Sequence, residues 1–150
     1  MTKLFKAYLI FGFSLLIIGI LFDFLFVQTK MSNMFRSDPI MYLNSWEKQL
    51  YDLTKFYLII LGIISILLAI MTNLLPGLIK LDWIVFYLIT IGALLIIFTG
   101  CRYAIAGPSF KWELRCTVLS VGIFAIVTGL GMAVYRFLTM ADQGKINNFN

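Results

Sequence analysis

Residues 21 to 26 read LFDFLF, which sets one carboxylate, Asp23, in an otherwise apolar and aromatic run. A carboxylate near hydrocarbon is costly unless it is paired, hydrated or protonated. Asp23 therefore has two chemistries open to it. It can anchor the fold through an ion pair or an interfacial hydrogen bond with Arg102 or Arg115, or it can titrate as a proton- or cation-coupling acid. Pairing is the expected role, because Asp23 lies about one turn from the end of its apolar segment and is shallow rather than central.

Cys101 and Cys116 are the other reactive side chains, and they flank one short connection. They share one end of the molecule, but the Cα separation that a disulfide needs is not readable from sequence. Free thiols are expected, with a bridge as the alternative if that end faces an oxidising compartment. No C-x-x-C pair is present, and histidine is absent altogether. Haem ligation through imidazole, His-based zinc sites and Ser-His or Cys-His nucleophile pairs are thereby excluded. With no nucleophile beside a plausible base, the chain is expected not to be an enzyme, and no catalytic, metal or cofactor site is assigned.

The elements that must carry these residues are unusually apolar. The 150 residues are 61% hydrophobic and 13% charged, more apolar surface than a soluble chain of this size could hide. The formal charge is +5, but Lys30, Arg36, Lys48 and Lys55 are dispersed among Asp38, Glu47 and Asp52. That pattern suits a membrane surface and does not suit nucleic acid.

Four segments with almost no charge, about 4–27, 56–75, 83–100 and 116–137, approach the ~20 residues needed to cross a ~30 Å hydrocarbon core. The fold class expected is an all-α integral membrane protein, a four-transmembrane-helix antiparallel bundle spanning residues 1–140. Pro76-Gly77 should end the second segment, and Asp82 is placed to cap the third. Tyr57, Trp83, Tyr103, Trp112 and Tyr135 sit near segment ends, where an interfacial aromatic belt belongs. Residues 141–150, ADQGKINNFN, read as a polar, mobile tail.

In the long first connection, Asn44 and Glu47 have capping-box spacing. Leu43, Trp46, Leu50 and Leu53 then recur at helical spacing. Residues 45–55 are thus expected as an amphipathic helix, lying on the membrane or continuing into the second segment. Its apolar face is expected to dock a partner or anchor at the interface, with docking preferred because Glu47 and Asp52 weaken attraction to anionic lipid.

Small residues mark the faces through which helices associate in lipid. These are Gly12 and Gly19 in the first segment, Gly62, Ser65 and Ala69 in the second, and Gly122, Ala125, Gly129 and Ala133 in the fourth. Ile126 is read as lying off the last stripe. Ser65, Asn73, Thr90 and Thr128 could instead line a lumen, though hydroxyls can bond their own helix.

The function expected is a non-catalytic subunit, structural or accessory, of a larger membrane complex. The alternative is a small oligomeric transporter or channel with Asp23 as coupling acid. Partners expected are the lipid bilayer and other membrane subunits, with bound lipid as the one non-protein component. Both termini are expected on the same side of the membrane, the cytoplasmic side preferred because Lys3 and Lys6 stand at the start of the first segment.

Overall fold

The computed structural model describes residues 2–22, 24, 40, 44–74, 79–106 and 112–147. Its architecture is four long helices, α1 (Lys3–Phe22), α2 (Trp46–Leu74), α3 (Ile79–Ala106) and α4 (Leu114–Asn147). All four are long and apolar enough to cross a membrane, and no strand occurs among the described residues. Each of α2, α3 and α4 outruns its expected segment. The amphipathic stretch is not a separate interfacial helix but the first turns of α2. The first seven residues of the polar tail continue α4 as helix.

The helix starts explain part of this. Thr2 Oγ1 accepts the Phe5 amide at 3.3 Å and caps α1. At α2 the cap is Ser45, whose Oγ accepts the Lys48 amide at 3.3 Å, one residue beyond the expected Asn44. Asp82 does not cap α3. The helix begins at Ile79, which puts Asp82 inside its first turn and frees the carboxylate for another partner.

α1 packs along α2, α2 along α3 and α3 along α4, with only slight contact between α1 and α3. The core forms two layers. One gathers Leu15, Phe22, Tyr51, Leu58, Leu61, Ala93, Ile96 and Ile126. The other gathers Leu4, Tyr8, Leu68, Ala69, Val85, Ile89 and Ala133. Because Leu4 and Tyr8 share a layer with Ala133, the start of α1 and the far part of α4 lie at the same end of the bundle.

Two glycine crossings set the register. A methyl on Gly12 would lie 2.8 Å from Ile66 Cγ1 and 2.9 Å from the Gly62 carbonyl oxygen; one on Gly62 would lie 2.9 Å from both the Gly12 oxygen and Leu16 Cγ. In α3 and α4, a methyl on Gly92 would lie 2.7 Å from both the Gly122 oxygen and Ile126 Cγ1. Away from the crossings the match continues. Gly19 faces Ile59 Cγ1 and Leu58 Cβ at 3.1 and 3.3 Å, while Gly129 faces Ile89 Cγ1 and Leu88 Cβ at 3.0 and 3.3 Å. Contact for contact, α4 takes the place of α1, and α3 the place of α2. These equivalent helices run in opposite directions and follow each other in reverse chain order, so the two helix pairs share one packing geometry through a local two-fold without being copies of one hairpin. The sequence carries the same relation: FYLIILG at 56–62 in α2 answers FYLITIG at 86–92 in α3.

Ile126 is accordingly part of the packing face and buried. Ala125, expected on that face, is only half-buried, and Asn73 is exposed.

Candidate functional site

The most unusual chemistry lies between α1, α3 and α4, at the end of the bundle where α3 begins. Arg136 on α4 is 2% exposed, and Asp82 on α3 is 5% exposed. Arg136 Nε stands 2.8 Å from Asp82 Oδ1. Neither ion is tolerable alone among apolar side chains, and each makes the other affordable only as a pair. The helix geometry brings them together because α3 and α4 are antiparallel and in register through Gly92 and Gly122.

Aromatic rings wall the pair. The Arg136 guanidinium carbon lies 5.7 Å from the Phe137 ring centroid. On α1, Tyr8 is buried and meets Phe86 edge-on at 4.8 Å between centroids. Phe86 also stands perpendicular to Trp83 at 5.7 Å. The Tyr8 hydroxyl has no hydrogen-bond partner among the described residues, and neither has the Thr90 hydroxyl farther along α3. The pair is neutral overall and closed by contact. Its chemistry is that of a clasp holding the start of α3 to α4.

Four further buried hydroxyls are turned to their own helices. Thr54 donates to the Leu50 carbonyl at 2.7 Å, Ser65 to Leu61 at 2.8 Å, Thr72 to Ala69 at 2.9 Å and Thr99 to Leu95 at 2.7 Å. Ser65, one of the four lumen candidates, is thereby consumed by its own backbone.

Asp23 and Leu43 lie outside the described residues. Of the cations expected to answer Asp23, Arg102 is exposed, its guanidinium 5.9 Å from the Phe98 ring. Arg115 donates from Nε to Glu113 Oε2 at 2.8 Å and sits 5.0 Å over the Tyr103 ring. Cys101 and Cys116 are free, and Cys116 Sγ is 2.9 Å from the Tyr103 hydroxyl. Among the described residues no group of three or more His, Cys, Asp or Glu is placed to hold a metal. Of the expected docking face, Trp46 and Leu53 are exposed, whereas Leu50 packs against the core. Tyr51 and Thr54 make the buried face of that stretch.

Sequence reasoning missed the Asp82–Arg136 pair. From sequence Asp82 reads as a cap, and Arg136 falls within the fourth segment with no partner assigned to it. The available signal was their opposite charge at matching depth in adjacent antiparallel helices. Compared with known protein families, curated proteins and solved structures, the chain matches none.

Proposed function

We propose that the chain is a multi-pass membrane protein that serves as a non-catalytic subunit of a larger membrane assembly. The observation that carries this reading is the uncovered face of α4. Only 17% of the most apolar window of α4 is buried in the bundle, against 39% for α2. Phe124, Val127, Val134 and Leu138 are exposed along it, and Gly131 has nothing within 4 Å of where its Cβ would stand. In lipid an outward glycine gives a neighbouring helix close access to the backbone. The interior charges and most buried hydroxyls are meanwhile occupied within the bundle. The exposed Trp46 at the start of α2 adds a second contact surface beyond the apolar segment.

The test is co-purification of the full chain from membranes with Gly131→Leu and, separately, Trp46→Ala. Loss of accompanying subunits with an unchanged unfolding temperature supports the reading. Retention of all of them by the double variant contradicts it.

The Thr90 hydroxyl, a lumen candidate without a hydrogen-bond partner among the described residues, favours a second reading, a small oligomeric transporter or channel. Under that reading the chain would work as a homo-oligomer, with Asp23 as the coupling acid.

A further inference from the structure

Between Lys80 and Arg102 the exposed residues of α3 fall on one stripe: Lys80, Ile84, Tyr87, Ile91, Leu94, Phe98 and Arg102. Steps of three and four residues keep them within about 40° of one line along the helix. The other sides of α3 pack on α2 and α4. The interior of the stripe is aliphatic and aromatic, with no glycine, serine or threonine, and a cation closes it at each end.

The length of the stripe is as informative as its composition. Arg102 lies 22 positions after Lys80, about 33 Å by helical rise. A hydrocarbon core is about 30 Å thick, and about 40–45 Å with its headgroup layers. The two cations thus stand at the edges of such a core, and their long side chains can reach outward into the headgroups. Aromatic residues mark the same two levels, Trp83 near Lys80 and Tyr103 beside Arg102. Trp83 stacks on Tyr87 at 5.7 Å between centroids, and the Arg102 guanidinium lies 5.9 Å from the Phe98 ring. Neither Lys80 nor Arg102 makes an ion pair among the described residues, whereas Lys48, Arg115 and Arg136 are held by Asp52, Glu113 and Asp82.

The outward face of α4 is built differently. Its exposed residues include Thr117, Ser120 and Gly131, and no charged side chain among those described. Among the described residues, only α3 carries an exposed cation at both ends of its exposed face. A neighbouring protein helix would have to bring two acidic groups about 33 Å apart to answer them. A bilayer offers phosphate at both levels, where an arginine fork matches its oxygens in geometry and a lysine meets them as a point charge. We propose that the outward face of α3 is a lipid face, with Lys80 and Arg102 each holding the phosphate of a phospholipid, one in each leaflet. The inference rests on the reading of the chain as a membrane protein.

The test is tryptophan quenching by brominated phosphatidylglycerol, with the full chain reconstituted in phosphatidylcholine vesicles. Trp46→Phe with Trp112→Phe leaves Trp83 as the reporter near Lys80. Adding Trp83→Phe and Phe98→Trp moves the reporter beside Arg102. At the Trp83 reporter, Lys80→Gln should lower binding of phosphatidylglycerol relative to phosphatidylcholine about fivefold, the worth of one cation near an anionic surface. Lys80→Arg should preserve it. Arg102→Gln should do the same at the second reporter, and each charge variant should leave the distant reporter unchanged. Unaltered binding in both variants, or equal loss at both reporters from either one, would overturn the proposal. In native membranes, Leu94→Trp should leave the mass of the extracted protein unchanged; loss of a bound polypeptide at an unchanged unfolding temperature would make this face a protein contact instead. Carbonate washing separates the inference from the reading it rests on. Release of the chain from the pellet contradicts the membrane reading, whereas a chain that stays in the pellet with unaltered quenching refutes the α3 assignment alone.

Discussion

Removing one member of the Asp82–Arg136 pair strands the other charge among apolar and aromatic side chains. Arg136→Met should destabilise the bundle by about 3–5 kcal/mol, while the double variant Asp82→Leu with Arg136→Met should recover most of that loss. Reversible unfolding in detergent micelles measures both, and additive losses in the double variant would show that the two charges are not coupled. Tyr8 gives a complementary test. Its hydroxyl is buried without a described partner, so Tyr8→Phe should be neutral or stabilising by about 1 kcal/mol. A loss of similar size would reveal a hydrogen bond to that oxygen. Both expectations rest on contacts between residues far apart in the chain. For that reason Asp82 reads in sequence as a helix cap, and nothing there points it to Arg136. Composition marks where a charge sits along a helix, but pairing depends on the register of two helices, which glycine positions set.

Among elements, the helices themselves were the most legible feature. Long runs without charge mark α1 to α4, and the backbone in such runs must satisfy its hydrogen bonds internally. Helix ends were less legible, because α3 starts at Ile79 and α4 continues to Asn147 without an apolar pattern to announce it. The packing faces were partly readable from small residues. Gly12, Gly19, Gly62, Gly122 and Gly129 all sit at close approaches, whereas Ile126 is a knob against Gly92 that a search for small residues passes over. The likeness of the two helix pairs is legible in sequence only when α2 is set against α3, as FYLIILG against FYLITIG. The matched crossings predict matched costs. Gly62→Ala and Gly92→Ala should each destabilise by about 1–3 kcal/mol, since a methyl meets a facing carbonyl oxygen in both. Gly131→Ala, with open space around it, should be neutral or stabilising by up to about 1 kcal/mol. Thermal unfolding of the three variants in one detergent compares them, and equal effects at Gly131 and Gly92 would mean the crossing is not where the structure has it.

At the scale of the whole molecule, the two helix pairs leave two unlike ends. One is closed by the Asp82–Arg136 clasp and the rings of Tyr8, Phe86 and Trp83, and the other keeps an open groove between α2 and α4, walled by Leu53 and Tyr57 on one side and Leu119 and Ile123 on the other. The outer surface is apolar on every helix, and α4 is the least covered. All four helices are long and apolar enough to cross a membrane, and under the proposed reading the bundle meets lipid on most of its surface and protein along α4. Whether that protein is a different chain decides between the two functions proposed. The most direct measurement is the native mass of the full chain extracted gently from its own membrane. A complex containing other polypeptides is predicted, falling to the lone chain on Gly131→Leu. A homo-oligomer of this chain, unchanged by that substitution, would contradict the subunit reading.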